Sequence, residues 1–523
     1  MNGSARVYSY LVYAAAAAAA AAVMGMNMST ARAGGFTIPL IGARGSTRLA
    51  YVARPDDTSS VYHNPAGLGL IEEARLDISG TGVLTHTTYY RCSRAFDENG
   101  VPGCYDGFED PITTTPWGKY PTGFGILPFA GISGRFGLEN WNFAFAVYSP
   151  HNATGSFPDC RRDEDGWPID CSGASQRFDV IRGTVNTVYL TPAASYQPHP
   201  AVTIGAGISA VRAAIRLNRA LWLGGPEGSA ALWWDGEGLL DLEATAWSYA
   251  FNFGVIWNLG DTFSIKNPWL RNIRIGVSYA SQTEFDFSGR LEITSIPVAA
   301  FAQSCDAGDM SVKCKAKSRF RFPMILRAGV DWEISKHGSF GVDFIWQNYS
   351  VYDKIQIRFP EPLIVQLPGN DPITLEETIE PKNSRNVLAI AAGGQWNVVQ
   401  VPGLEFRTGF LWDKSPYPDS TYSLLNPDAD KLGFSIGASY RFNVGRFGNM
   451  LAQLEISAGY GALFYKDRVV RNSIIRPSIC PPGDDGCRES MPDADFSVNG
   501  DVKDKRVDFF VLELSGILHK IRE

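Results

Sequence analysis

The sequence predicts an all-β protein: a 14-stranded antiparallel transmembrane β-barrel whose lumen holds a small N-terminal hatch. Three observations predict it. More than four hundred residues alternate between large apolar and small or polar positions with no linker among them, no window beyond the N-terminus holds 18 consecutive apolar residues, and mean hydropathy is an ordinary −0.09. A helical span needs about 20 apolar residues in a row. A barrel strand needs only every second residue to meet lipid, so its average hydropathy stays that of a soluble protein. A chain of 523 residues without a compositional break is better read as one large β architecture than as several ordinary domains.

Residues 1–33 read as a secretion signal. Arg6 supplies a weak basic start, residues 10–23 the apolar core, and Ala31-Arg32-Ala33 an A-x-A cleavage site. Removing the segment takes away Arg6 and Arg32 and no acid, so the net charge of −7 becomes −9, which argues against nucleic acid as a partner. Residues 34–73 are rich in Gly, Ala and short polar side chains and hold neither period 2 nor period 3.6. They are expected to form the hatch, with 74–523 as the barrel. The segment closes on Tyr62-His63-Asn64-Pro65-Ala66-Gly67-Leu68, in which Asn-Pro forces a turn and Ala-Gly permits close backbone approach.

The wall is read from its alternation. Trp247, Tyr249, Phe251, Phe253 and Val255 face away from Ala246, Ser248, Ala250, Asn252 and Gly254, and the same holds for Leu432, Phe434 and Ile436 against Gly433, Ser435 and Gly437. Strands are expected near 74–90, 123–136, 141–151, 178–197, 201–218, 240–259, 271–295, 318–334, 339–357, 383–398, 403–414, 431–444, 450–466 and 505–518. Their number is even, as single-chain bacterial barrels require. Short turns follow the even strands up to the twelfth and long loops follow the others. The eight cysteines fall as Cys92/Cys104, Cys160/Cys171, Cys305/Cys314 and Cys480/Cys487, all in long loops. Spacing does not fix connectivity, but partners this close make four loop disulfides in an oxidising compartment the simplest choice. No pair has zinc-ligand spacing, and only His151 lies near one. Tyr89-Tyr90, Trp233-Trp234 and Trp346 with Tyr349 and Tyr352 are expected in interfacial girdles.

Several stretches resemble the FadL-type family of outer-membrane transporters for long-chain fatty acids and other hydrophobic compounds. They are the Asn64-Pro65-Ala66 motif, Phe145-Ala146-Val147-Tyr148-Ser149-Pro150, the hairpin from Pro192 to Gly207, and Gly409 to Tyr440 with its Asp-x-Ser-Pro, Asn-Pro-Asp and Gly-Ala-Ser-Tyr landmarks. The resemblance implies a barrel in the outer membrane of a Gram-negative bacterium. It captures an amphipathic molecule at an extracellular groove, passes it to an interior apolar pocket, and releases it sideways into the membrane once the hatch shifts, without ATP or cofactor.

On that reading Phe36 and Ile38 touch the ligand, Asn64, Pro65 and Ala66 anchor the hatch to the wall, and Pro150, which cannot donate a ladder hydrogen bond, marks the lateral opening. Arg182, Arg212, Arg216, Arg319, Arg321 and Arg327 lie in strands, either as a lumenal salt-bridge network or as the counter-charge of a carboxylate ligand. The partners implied are a hydrophobic small molecule, a fatty acid or hydrocarbon, and outer-membrane lipid, with the protein a monomer. Catalysis finds little support. The six histidines are scattered, no G-x-S-x-G elbow occurs, and Gly205-Ala206-Gly207 sits mid-strand without a following helix. A different function class, a surface binding or adhesion barrel working through disulfide-stapled loops, is the alternative.

Overall fold

The computed structural model describes residues 40–520 apart from 98–100, 110, 115–123, 165–167, 172, 175, 223–236, 264–270, 295–304, 308–310, 336, 366–372, 426, 448–449 and 475–498. Fourteen strands form one closed wall. They are Ala74–Phe96, Phe124–Gly134, Trp141–Tyr148, Arg182–His199, Val202–Trp222 and Glu237–Asn258. A seventh follows in two pieces, Ile273–Ala280 and Thr283–Thr294, and an eighth in two pieces, Ser311–Phe322 and Ile325–Ser335. The last six are Gly338–Gln347, Val387–Asn397, Leu404–Asp413, Lys431–Phe447, Met450–Tyr465 and Gly500–Lys520. Each pairs antiparallel with its neighbour in sequence. The first pairs with the last from Ala74↔Leu518 to Arg91↔Gly500, so the ring closes.

The alternation sorts as the sequence requires. On the sixth strand Trp247, Tyr249, Phe251 and Phe253 are exposed while Ala246, Ala250 and Asn252 are buried. On the twelfth, Leu432, Phe434 and Ile436 are exposed while Ser435 and Ser439 are buried. Large apolar residues therefore face lipid, and small ones line a lumen with room for another segment.

Several strands differ from the expected ranges at their ends, such as the first, which runs to Phe96, and the third, which stops at Tyr148; three depart in their course. The ninth ends at Gln347, not near 357, because Tyr349 and Tyr352, three residues apart, are both buried, which no period-2 strand allows. A 3-10 turn at Tyr349–Val351 intervenes, and Lys354–Val365 then forms a hairpin with Ile373–Pro381 against the upper part of the eighth strand. The seventh strand breaks at Ser281-Gln282, and the eighth at Pro323-Met324, where proline has no N–H to give. Tyr89, Tyr349 and Tyr352 point inward rather than into a girdle, and Trp233 and Trp234 lie outside the described residues. Cys92–Cys104, Cys160–Cys171 and Cys305–Cys314 are disulfides at the long-loop end. Cys480 and Cys487 lie outside the described residues.

Candidate functional site in the lumen

The segment from Leu40 to Ile71 lies against the inner face of the wall. Its regular structure is slight: a helix at Ala43–Arg48, a turn at Ser60–His63 and a 3-10 helix at Pro65–Leu70. Gly42 opens the first of these at φ 72, pressed so close to Ser59 that a Cβ would overlap it. A buried segment with so few internal hydrogen bonds must find partners for its amides elsewhere, and here they are wall carboxylates. Glu513 accepts from Ala43 N–H at 2.9 Å, Asp343 from Tyr51 and Val52 N–H at 2.5 and 2.9 Å, and Asp77 from Thr58 N–H at 3.1 Å.

Charge holds the helical end. Arg44 pairs with Glu405 at 3.1 Å and Glu455 at 3.2 Å, and Glu455 also receives Arg75 at 3.2 Å and Arg441 at 2.8 Å. Arg48 pairs with Asp331, and Arg407 donates to Thr47 Oγ1 at 2.9 Å. At the short-turn rim the same groups border a polar cavity of about 340 Å³ lined by Arg44, Arg54, Asp56, Glu73, Glu405 and Arg441.

Shape holds the other end. Asn64 Nδ2 donates to Val52 O at 2.9 Å and to Val255 O of the sixth strand at 3.3 Å, while its Oδ1 caps the 3-10 helix through Ala66 N–H at 3.1 Å. The motif sits where the wall carries glycine. A Cβ at Gly254 would overlap Asn64 Oδ1, and one at Gly205 would overlap the Pro65 carbonyl. Asn252 donates to Val61 O, and Ser278 to His63 O at 2.7 Å.

Above the segment the lumen is aromatic. Tyr62 packs on Tyr148 at 5.7 Å, Tyr148 on Tyr189 at 5.4 Å, and His151 stacks on Phe322 at 4.5 Å. A small cavity of about 30 Å³ opens among Tyr62, Tyr148, Tyr189, His151 and Ile325. Arg327 lies beside it, 3% exposed, with its guanidinium 4.8 Å from the Tyr62 ring centre. Among the described residues it has no carboxylate partner, and neither does the buried Tyr62 hydroxyl have a hydrogen-bond partner. Burial pushes the His63 imidazole down to about 3, and the Arg327 charge acts in the same direction. His63 is therefore neutral, and its Nε2 stands 2.9 Å from Ile41 O as a donor.

The ladder of the wall is interrupted beside this cavity. The third strand stops at Tyr148, two residues before Pro150, and its ladder to the second stops at Phe129↔Tyr148. Residues 124–128 then pair only with the first strand. Side chains replace the ladder on the other edge. Thr187 Oγ1 accepts from His151 N–H at 3.3 Å and donates to His151 O at 2.9 Å, and Asn152 Oδ1 accepts from Thr187 N–H at 3.1 Å.

Asn64, Pro65 and Ala66 thus meet the wall, and Pro150 borders the cavity. Phe36 and Ile38 lie outside the described residues. The six strand arginines divide. Arg182, Arg212, Arg319 and Arg321 are exposed, the last two pairing with Glu284, and Arg216 pairs with Asp241 at 2.6 Å away from the hidden network. Only Arg327 is buried. The lumenal network rests instead on Arg44, Arg48, Arg75, Arg407, Asp331, Asp343 and Glu455, none of which is among the six expected arginines. Their signal was present: each wall member occupies the small, polar face of its strand.

Residues 25–478 match the family model described as outer membrane protein transport protein (OMPP1/FadL/TodX). A protein of Neisseria meningitidis serogroup B named as an outer membrane protein is 23% identical over 403 residues, 76% of this chain and 80% of its own. The long-chain fatty acid transport protein of Escherichia coli O6:H1 is 23% identical over 292 residues, 53% of this chain and 59% of its own. Among solved structures, a Pseudomonas aeruginosa FadL homologue has TM-score 0.67 at 18% identity, covering 94% of this chain and 100% of that one. The Ralstonia pickettii toluene transporter TbuX has TM-score 0.55 at 14% identity, covering 92% and 98%. A closed 14-stranded wall around a buried N-terminal segment, matched to the family model over most of its length, makes this chain a member of the OMPP1/FadL/TodX family of outer membrane transport proteins.

Proposed function

We propose that the protein carries amphipathic molecules with an acidic head and a long apolar tail, of the long-chain fatty acid type, from the cell surface into the outer membrane. The N-terminal segment acts as the hatch. One observation carries the choice of substrate: Arg327 is buried beside the aromatic cavity with no carboxylate to meet it among the described residues. A buried guanidinium without a counter-ion costs several kcal/mol, of which a cation–π contact returns only about 0.5–2. A ligand carboxylate would supply the missing charge, with the Tyr62 hydroxyl as a second donor. Tyr148, Tyr189 and Phe322 would take the tail.

The polar rim cavity on the far side of the hatch gives an apolar tail no reason to continue toward the periplasm. The break at Pro150 offers a way out to lipid instead. Arg44, Arg48 and Glu455 keep one end of the hatch fixed, while the Asn64-Pro65-Ala66 end, beside Tyr62 and the cavity, is placed to respond to what binds there.

The test is uptake of a labelled long-chain fatty acid and, in parallel, a labelled alkylbenzene by cells lacking their own such transporter. Wild type, Asn64→Ala and Arg327→Met are compared. Arg327→Met should lower fatty-acid uptake while leaving alkylbenzene uptake in place, and Asn64→Ala should alter both. Equal losses for the two solutes with Arg327→Met would overturn the acidic-head assignment. No uptake of either by an inserted wild-type barrel would overturn transport of this class.

A further inference from the structure

The sixth strand is paired along the whole of one edge, with the fifth, but not along the other. Its ladder to the seventh strand runs from Asn252↔Ala280 to Asn258↔Arg274 and again from Leu239↔Thr294 to Thr245↔Ser288. Residues 246–251 between them have no ladder partner on that side. Serine side chains supply much of what bridges the gap. Ser281 N–H donates to Phe251 O at 2.8 Å, Phe251 N–H donates to Ser281 Oγ at 3.0 Å, and the Ser248 hydroxyl donates to Glu284 O at 2.5 Å. The eighth strand breaks alongside at Pro323-Met324, so the seventh is bent together with its neighbour. This is the device seen at the third strand, where Thr187 and Asn152 stand in for the ladder.

Unpaired backbone facing lipid is costly enough that membrane barrels close their ladders. An interrupted one invites a functional explanation. Inside, the sixth-strand lip carries only small residues, Ala246, Ser248 and Ala250, and the seam is covered there by the Phe285 and Phe287 rings of the seventh-strand lip, side chains that rotamer changes can move aside. It is framed outside by Trp247, Tyr249 and Phe251, which are 63%, 80% and 56% exposed. Pro150 and Tyr249 lie equally far along the chain from the short-turn ends of their strands, Trp141 and Asn258. With the usual rise and tilt that places both roughly 20 Å up the wall, in the outer-leaflet half of the apolar band. The cavity beside Tyr62 touches Pro150 on one side and Phe251, Ser281 and Pro323 on the other, so its lining reaches from one break to the other.

We propose that the seam between the sixth and seventh strands is a second lateral portal, through which a single-chain lipid or hydrocarbon passes between the lumen and the outer leaflet. The proposal rests on the transport reading but not on the choice of head group. Parting the seam breaks the few hydrogen bonds named above, two of them made by serine side chains, rather than a zipped ladder.

The test uses full-length protein in liposomes. Tyr249→Cys with Glu284→Cys places a thiol on each lip; Thr245→Cys with Ser288→Cys, on an already paired rung, is the control. Flux of a labelled fatty acid is compared after oxidation, or after a short bis-maleimide where no disulfide forms, and again after reduction for the disulfide form. Two parallel exits of similar width would share the flux, so joining the lips should lower it by roughly half, while the control joint should leave it unchanged. A fatty acid bearing a diazirine on its tail should also label peptides containing 246–251 or 281–287. Wild-type flux with neither an effect of the joint nor labelling there would overturn the second portal alone. Absence of wild-type flux would instead overturn the transport reading on which it rests.

Discussion

The two arcs of the barrel hold the N-terminal segment in opposite ways. From the tenth strand round to the first, the wall is continuous and meets the segment through charge: Arg44 pairs with Glu405 and Glu455, and the wall's own Arg75 shares Glu455. From the third strand to the seventh, the wall breaks at Pro150 and Ser281-Gln282 and meets the segment through glycine seats, neutral hydrogen bonds and aromatic rings, with no ion pair to it among the described residues; the eighth strand, broken at Pro323-Met324, is the boundary, its Asp331 pairing with Arg48. Ion pairs buried at close range resist any displacement, because separating them leaves uncompensated charge. Shape contacts beside an interrupted ladder yield far more cheaply. One end of the segment is thus held by charge and the other by shape, next to the breaks in the wall.

The largest effect that would break this contrast is expected at Glu455, where three guanidiniums converge within 3.2 Å. Glu455→Ala removes their shared counter-charge and should cost about 3–5 kcal/mol of segment docking. The measurement is leakage of a small hydrophilic dye through the reconstituted barrel together with its thermal unfolding. An unchanged, tight barrel would show that the charged arc does not hold the segment.

A smaller effect is expected on the opposite arc. Gly254→Val drives a side chain into Asn64 Oδ1 and should cost about 1–3 kcal/mol, the usual range for overpacking. If the end held by shape is the one that moves in transport, solute uptake should change while dye leakage rises less than in Glu455→Ala. The reverse order of leakage would invert the comparison.

The smallest effect concerns the loops above. Asp179 accepts from the Ser423 hydroxyl at 2.8 Å and from Leu424 N–H, tying the loop after the third strand to the loop after the eleventh. Burial pushes its carboxyl up to about 6. The docked state thus binds a proton more tightly than the open one. Docking should gain as pH falls from about 7.5 through about 6, and gain no more below about 4. Hydrogen exchange of the peptide around Leu424, corrected for intrinsic rates, should show the added protection at low pH, and Asp179→Asn should remove the dependence.

Much of this was legible beforehand for a physical reason. Lipid outside and a filled lumen inside force large apolar and small side chains onto opposite faces, so strand number, parity and the end of the barrel that carries the described disulfides follow from a period of 2, although Cys92 and Cys314 lie on the extended first and eighth strands and not in loops as expected. The same pattern located the strand arginines without saying where each would end. Arg319 and Arg321 lie on strands as regular as Arg327's, yet the upper part of the eighth strand turns them toward solvent beside Glu284 and Asp286, whereas Arg327 is carried inside. The break at Pro323 that separates the two cases is a local fact of sequence; its consequence is not. The ninth strand misled for a similar reason, since Tyr349 and Tyr352 are ordinary strand residues until both prove to be buried.

The sequence by itself determined the barrel, its even number of strands, the side on which the long loops lie, and the motif that seats against the wall. These depend on short-range rules: alternation, turn chemistry and the spacing of cysteines. Only the tertiary structure decided which acids meet Arg44, which arginine is left without a partner among the described residues, and where the ladder fails between the sixth and seventh strands. Those depend on residues hundreds of positions apart arriving at one place. No local pattern encodes the distance between them.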